Sequence, residues 1–192
     1  MVYWEPDHYY FLTSSTFLHY PLFNSFDAKK IVLDRILQVE NSLMSCFGYS
    51  VAVNHQHSIF KPQTSEDFSK AKKIINGGSA YDYNKKFPLK IKNKNYFWGD
   101  VKTLKILGEE TYWKIIGYVS GNLLKHREVK SFKELYNSPF SSFRKVVDEY
   151  GMRFAQDLVL NVINLPDVES NLNSFIKELT IEVENEESIS PH

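Results

Sequence analysis

The stretch AVNHQHSIF, residues 52–60, is the starting point because it places two histidines two positions apart in a strand-like run. Side chains at positions i and i+2 of a strand lie on the same face of the sheet, so His55 and His57 point the same way. Neutral imidazole is the commonest metal ligand in proteins, so this pair can supply two ligands to one ion. The alternative is two partly exposed histidines with ordinary hydrogen bonds, and only a further converging ligand would favour a metal site.

Hydrophobic periodicity and turn residues predict alternating strands and helices around this stretch. A cap at Asn24 or Ser25 precedes a run whose apolar residues recur at helical spacing. The predicted elements are a strand at 8–17, a helix at 27–45, strands at 48–54 and 55–60, a helix at 65–75, a strand at 96–106 and a helix at 109–126. This order is typical of an α+β fold, in which helices pack on an antiparallel sheet.

Glycines and polar residues indicate how the remaining chain is organised. Asn76-Gly77-Gly78-Ser79 is predicted to end the helix at 65–75, and the polar segment 80–95 to form a long loop. Further helical patterns lie at 131–136, 142–150, 154–165 and 168–181. We therefore expect a domain at 1–130, a C-terminal helical extension at 131–181 packed on the same domain, and a disordered acidic tail at 182–192.

Composition predicts a globular protein of a reducing compartment. The chain has 192 residues, 43% of them hydrophobic, enough for one ordinary domain with a sizeable core. The single cysteine, Cys46, has no partner for an internal disulfide and is predicted to be a small buried hydrophobe. No window is apolar and long enough for a membrane span, and the N-terminus does not resemble a signal peptide. We expect a cytoplasmic location without a membrane partner.

The charge of the chain is unevenly distributed. The formal net charge is zero, which by itself argues against a nucleic-acid partner. Between Lys61 and Lys105, however, eleven lysines stand against four acidic residues, and after Leu160 one lysine stands against seven. Local fields attract phosphate, so the basic middle of the chain is a candidate surface for nucleic acid. A lysine-rich loop in contact only with water is the alternative.

Five segments resemble, in order, the motifs of the single-tyrosine HUH transposases, which include the REP-associated tyrosine transposases and the insertion-sequence-200-type enzymes. NHQH (54–57) is similar to the family's P-N-H-x-H-L signature, and YVSGNLLKH (118–126) to its Y-I-x-x-N-P-x-K-H helix. The other segments are YYFLTSSTFLHYPLF (9–23), INGGSAYDYNKK with YFW (75–86 and 96–98), and SPFSSF (138–143). Each motif alone is unspecific, but their order and spacing cover residues 8 to 145.

The resemblance implies a ferredoxin-like antiparallel sheet with helices on it, the HUH endonuclease fold, and makes residues 1–130 the catalytic domain. It implies a divalent metal ion, magnesium or manganese, held by His55, His57 and Asn122. An amide oxygen beside two imidazoles suits either ion, with positions left open for water.

Tyr118 is the nucleophile that the resemblance implies, in a DNA strand transferase or nickase that forms a 5′-phosphotyrosine link. Tyr118 and Asn122 are four residues apart and share a helix face. Tyr112 is the nearest rival, but it has no amide four residues later. His126 is either a phosphate contact or a charge near the helix C-terminus, and we favour the second.

The implied partner is single-stranded DNA beside a hairpin, bound by a monomer or a homodimer. Lysines would follow the phosphates, aromatic rings would stack on bases, and glycines would let the backbone approach the strand. The candidate residues are Lys85, Lys86, Lys90, Lys92, Lys94, Tyr81, Tyr83, Gly77 and Gly78, with Tyr96 and Trp98 as further aromatics. Core packing is the alternative for the aromatics; we expect it for Trp98 and expect Tyr81 or Tyr83 to be exposed. The alternatives are a catalytically silent hairpin-binding protein of the same fold, a replication initiator or relaxase, and an unrelated α+β domain.

Four residues depart from the family pattern. Gln56 stands where a hydrophobic residue usually faces the core across the sheet, so it needs hydrogen-bond partners. Val53 and Leu123 replace prolines, and the second change should let the helix continue. Ser15 stands where the family often has arginine, which would remove one phosphate contact.

Overall fold

A computed structural model describes residues 5–87, 97–168 and 172–187. The strands are β1 (Tyr9–Thr16), β2 (Cys46–Val51), β3 (His55–Phe60) and β4 (Trp98–Ile106). The helices are α1 (Phe26–Ser42), α2 (Ser65–Lys72), α3 (Ser79–Lys86), α4 (Glu109–Lys125), α5 (Phe132–Asn137), α6 (Phe143–Tyr150), α7 (Met152–Val162) and α8 (Leu172–Glu187). A 3₁₀ turn (Phe17–His19) follows β1, and a π-helical turn (Lys73–Gly78) joins α2 to α3.

The strands form an antiparallel sheet in the order β2-β3-β1-β4. This order, produced by a strand-helix-strand-strand-helix-strand succession, confirms the predicted ferredoxin-like α+β fold. Strand β3 lies between β1 and β2, with His57 opposite Thr13 and His55 opposite Ser15. Both histidines therefore lie in the interior of the sheet rather than at an edge.

Helices cover both faces of the sheet. On one face, the buried side of α1 is formed by Val32, Ile36 and Val39, and the helix begins where the Ser25 hydroxyl accepts a hydrogen bond from the Ala28 N–H at 3.2 Å. The helices α2 and α3 share that face. On the other face lies α4, whose Tyr118 ring is 5.3 Å from the His57 ring.

The predicted end of the second helix is wrong. The chain stays helical through Gly77 and Gly78 and continues to Lys86, so residues 80–86 form a helix instead of a loop. Gly78 has a helical φ of −63°, and a Cβ there would lie 3.0 Å from Arg35 Nε. This glycine lies inside a helix, next to the Arg35 side chain of α1, and does not act as a left-handed cap. The rest of the predicted loop, residues 88–95, lies outside the described residues.

The C-terminal helices share the core of the sheet. A Cβ at Gly117 would lie 2.5 Å from the Leu158 carbonyl oxygen, so α7 crosses α4 in close contact. Phe143 and Phe175 join the same buried cluster as the strands. Helix α8 extends to Glu187, into the tail predicted to be disordered, and residues 188–192 lie outside the described part. Within the described ranges, no helix combines the length and apolar character needed to cross a membrane.

Candidate active site

Strand β3 holds the two histidines on one face, as the spacing predicts. His55 is 3% exposed and His57 is fully buried, and their ring centres are 4.9 Å apart. The burial excludes the alternative of two partly exposed surface histidines.

The hydrogen bonds of Asn54 determine which nitrogen of His55 carries the proton. Asn54 Nδ2 donates to the His19 carbonyl oxygen at 3.2 Å, which turns Asn54 Oδ1 towards His55 Nδ1 at 2.8 Å. Because an amide oxygen only accepts, Nδ1 of neutral His55 must carry the proton. The lone pair is therefore on Nε2, the nitrogen that faces α4.

Asn122 of α4 meets that lone pair. Its Oδ1 lies 2.9 Å from His55 Nε2, so in the tautomer with the proton on Nδ1 two acceptors face each other inside the protein. Asn122 is fully buried, and its Nδ2 has no hydrogen-bond partner among the described residues. Three arrangements satisfy these atoms: the amide turns over and offers Nδ2 to His55, the His55 ring carries protons on both nitrogens and donates to both oxygens, or a cation lies between the two acceptors.

The donor set fits a divalent ion. Two ligands at about 2.1 Å from one ion, at a right angle, lie about 3 Å apart, close to the observed separation of His55 Nε2 and Asn122 Oδ1. Across residues 5–87, 97–168 and 172–187, no group of three or more His, Cys, Asp or Glu side chains is placed to hold a metal. A third protein ligand beside His55 and His57 would therefore have to be of another type, and the Asn122 amide oxygen is the candidate that the sequence predicts.

Tyr118 occupies the position expected of the nucleophile but is covered. It lies one helical turn before Asn122, and its ring is packed against His57. Tyr118 is 2% exposed, its hydroxyl accepts a long hydrogen bond from the Val168 N–H at 3.4 Å, and the Phe175 ring lies 4.8 Å away. Val168 and helix α8, together called the covering segment, thus separate this tyrosine from solvent.

Tyr112 belongs to a different part of the molecule. It packs against Tyr9 and Trp113, at the other end of α4, with ring centres 4.6 and 5.2 Å away. Burial raises the pKa of its phenol. The structure thus places Tyr118, and not Tyr112, beside the histidines.

Three residues that the sequence analysis did not assign to the site lie beside it. The His126 ring is 4.8 Å from the His55 ring, and its Nε2 is 3.8 Å from Asp167 Oδ1. Lys125 Nζ lies 3.1 Å from the same carboxylate. His126 ends α4 as its C-cap residue, in the place expected of a charge near the helix C-terminus, and the four-residue spacing of Tyr118, Asn122 and His126 also puts it on the face beside His55.

A buried hydrogen-bond network explains how Gln56 is accommodated on the opposite face of β3. Its Nε2 donates to Ser14 Oγ at 3.1 Å, and its Oε1 accepts from Ser58 Oγ at 3.1 Å. Ser14 Oγ donates in turn to Asn76 Oδ1 in the π-helical turn at 3.0 Å. The predicted partners exist, and they connect the histidine strand to the segment containing Gly77.

Those candidate DNA-binding residues that the structure describes lie across the sheet from the histidines. Gly77 is exposed with nothing within 4 Å of a Cβ built on it, and Tyr81 is 68% exposed. Lys85 is exposed beside them, and Lys86 pairs with Asp27 at 2.7 Å.

Some of the predicted DNA contacts are wrong or lie elsewhere. Tyr83 is buried and donates a hydrogen bond to the Leu22 carbonyl oxygen at 2.9 Å, so it is a core residue. Gly78 lies next to Arg35. Trp98, which was expected to pack in the core, lies against Phe23 and donates to the Asn76 carbonyl oxygen at 2.9 Å. Lys90, Lys92, Lys94 and Tyr96 lie outside the described residues. Ser15 is buried opposite His55, so no phosphate contact is expected there.

Comparison with solved structures supports the fold. The structure of a REP-associated tyrosine transposase bound to a REP hairpin superposes with a TM-score of 0.61 and 19% identity, covering 81% of this chain and 88% of that one. This chain has the fold of a REP-associated tyrosine transposase. At 19% identity the likeness shows the tyrosine transposase fold.

Two other solved structures match more weakly. One is a putative transposase from Deinococcus radiodurans R1, with a TM-score of 0.41, 17% identity, and coverage of 62% of this chain and 92% of that one. The other is tRNA(His) guanylyltransferase from Saccharomyces cerevisiae, with a TM-score of 0.43, 12% identity, and coverage of 77% and 80%. Both scores are too low to bear on function. No protein-family model matches the chain, and no curated protein matches it significantly.

Proposed function

We propose that the chain is a metal-dependent endonuclease and strand transferase that acts on single-stranded DNA through a phosphotyrosine intermediate. The observation that supports this most is the convergence of His55 Nε2 and Asn122 Oδ1, 2.9 Å apart, with Tyr118 against His57. These groups come from β3 and α4 and are brought together by the fold. The proposal is supported by a buried amide oxygen within 2.9 Å of one histidine, on the same helix as a tyrosine packed against the other.

His55, His57 and Asn122 would hold the ion, magnesium or manganese. Such an ion, when bound, would polarise the scissile phosphate and stabilise the charge that develops on it. Asn54 keeps the proton of His55 on Nδ1, which leaves Nε2 free as a ligand.

Tyr118 would carry out the covalent step. Its hydroxyl oxygen bonds to phosphorus as the bond from phosphorus to the 3′ oxygen of the preceding nucleotide breaks. The phenol loses its proton and the departing 3′ oxygen gains one, which leaves a free 3′ hydroxyl and a 5′-phosphotyrosine link. Attack of a 3′ hydroxyl on that link reverses the step and rejoins a strand.

The covering segment must move before DNA reaches Tyr118. Val168 and Phe175 are fully buried against the tyrosine side of α4, and Leu179 is 4% exposed. The proposed reaction therefore requires an open state in which this segment leaves the ring.

The proposed substrate is a single strand beside a hairpin, since the tyrosine transposase that shares the fold was solved with a REP hairpin. Gly77, Tyr81, Lys85 and Lys86 would contact this DNA on the outer helices, together with Lys90, Lys92 and Lys94. Gly77 supports this role because nothing in the described fold fills the space beside its Cα. The homodimer stays a prediction, which sedimentation of the purified protein can test.

The second candidate function is hairpin binding without cleavage. The observation that favours it is the closed position of Tyr118, whose hydroxyl faces the Val168 N–H. In that case the histidine and amide residues would be structural.

A covalent adduct assay separates the two functions. Labelled single-stranded hairpin oligonucleotides from the DNA that flanks the gene are incubated with the protein and Mn²⁺ or Mg²⁺ and separated on a denaturing gel. The proposal expects a metal-dependent shifted band that disappears in Tyr118→Phe and persists in the control Tyr112→Phe. Retarded DNA on a native gel without any covalent band would favour the silent binder.

A further inference from the structure

The turn that leads into the histidine strand is held at successive backbone groups. The Val53 carbonyl oxygen accepts from the Phe23 N–H at 2.8 Å, and the Asn54 carbonyl oxygen accepts from the Thr16 N–H at 2.8 Å. The Val53 N–H donates to Glu128 Oε1 at 2.8 Å. Glu128 is 75 residues away in sequence, so this bond joins the turn to the end of α4.

The chain reverses direction after α4, and this reversal brings Glu128 next to the Val53 N–H. Helix α4 continues past Leu123 to Lys125, and Arg127 then adopts a positive φ of 58°. The Glu128 N–H donates back to the Leu123 carbonyl oxygen at 2.9 Å. A proline at 123 would lack an N–H for the α4 ladder, so the leucine favours the uninterrupted helix from which this reversal starts.

Lys29 of α1 holds the other carboxylate oxygen of Glu128. The two side chains form an ion pair and are only 13% and 12% exposed. Lys29 Nζ also lies 5.5 Å from the centre of the Phe140 ring. Glu128 is thereby restrained from two sides, and it connects α1, α4 and the turn before β3.

We propose that Glu128 is a positioning residue of the active site, which holds the Val53–Asn54 turn so that Asn54 directs the lone pair of His55 towards Asn122. In the P-N-H-x-H-L signature that this stretch resembles, a proline stands at the position of Val53. Proline has no N–H and a nearly fixed φ. Val53 lacks that restriction, and the bond to Glu128 restrains the same peptide by another route. The consequence for metal binding rests on the proposed function, whereas the consequence for the His55 tautomer does not.

Glu128→Ala and Glu128→Asp test this role, and Glu40→Ala is the matched control. Glu40 also pairs with a lysine from another helix, Lys145, whose Nζ lies 5.5 Å from the Tyr49 ring centre. Glu128→Asp keeps the charge for Lys29 but is one methylene too short for the Val53 N–H, so it tests the bond even if the alanine variant does not fold.

The first readout is the ¹⁵N NMR spectrum of His55 in metal-free protein, at a pH well above that at which free histidine titrates. Wild type and Glu40→Ala should show a single His55 tautomer, protonated at Nδ1. Each Glu128 variant that folds should show a mixture of the Nδ1 and Nε2 tautomers. The second readout is the Kd for Mn²⁺ by titration calorimetry, which should rise about tenfold to hundredfold in the Glu128 variants only.

An unchanged His55 tautomer in a folded Glu128→Asp or Glu128→Ala protein would overturn the inference. An equally mixed His55 tautomer in Glu40→Ala would also overturn the inference, because the effect would then come from a general loss of stability. If wild type binds no Mn²⁺, the proposed function loses its metal, but the NMR comparison still decides the role of Glu128.

Discussion

Phe175→Ala should open the cover over Tyr118. Phe175 is fully buried, with its ring 4.8 Å from the Tyr118 ring and 6.2 Å from the Phe11 ring. Truncating a buried phenylalanine costs about 3–5 kcal/mol. If about 3 kcal/mol of this is lost from the docking of α8, the ratio of open to closed states rises about a hundredfold, since each 1.4 kcal/mol is a factor of ten.

Hydrogen exchange followed by mass spectrometry measures this opening without DNA. Amides of residues 172–179 should exchange about a hundredfold faster in Phe175→Ala, while amides of β3 keep their protection. Phe143→Ala is the matched control, because Phe143 is equally buried but stacks on Phe132, at a ring distance of 5.6 Å.

The adduct assay then connects the opening to chemistry. If the cover limits access, the rate of covalent adduct formation should rise in Phe175→Ala and not in Phe143→Ala. Faster exchange with an unchanged adduct rate would refute the idea that this segment controls access to Tyr118. Equal acceleration of exchange throughout the protein would show that the variant only lowers global stability.

Three other predictions concern the metal, the polar network and the cysteine. Asn122→Ala should weaken Mn²⁺ binding at least about tenfold by titration calorimetry, because it removes an expected ligand, whereas Tyr118→Phe should bind Mn²⁺ normally; equal affinity in the Asn122 variant would exclude the amide as a ligand. Gln56→Leu should lower the free energy of unfolding by about 1–3 kcal/mol in urea titrations, because buried hydroxyls lose their partner, and adding Ser14→Ala should restore part of the loss; strictly additive losses would contradict the network. Burial raises the pKa of the Cys46 thiol to about 12, so native protein should resist alkylation near neutral pH and react only on unfolding. Because the folded pKa lies above the ordinary value of 9.0, the protonated thiol favours the folded state below about pH 9, and this contribution should disappear as the pH rises towards 12.

Local geometry made part of the site predictable from the sequence. The period of two in a strand places His55 and His57 on one face, and the period of 3.6 in a helix places Tyr118 and Asn122 on another. The cap at Ser25 and the order of strands and helices likewise lead to the ferredoxin-like sheet. These features depend on neighbours within a few residues, so the sequence is sufficient for them.

Packing between distant segments decided the rest. The glycine pair predicts a helix end at Gly78. The contact of Gly78 with Arg35 of another helix is one that no local pattern reveals. The burial of Tyr83, the position of His126 beside His55 and the cover of Phe175 over Tyr118 likewise depend on how helices cross the sheet.

The sequence by itself thus determined the fold class and the residue types of the site. Only the tertiary structure decided which atoms meet, which tyrosine lies beside the histidines and what covers it. The physical reason is that backbone periodicity acts over a few residues, whereas contacts such as that between Val53 and Glu128 form only when the whole core has packed.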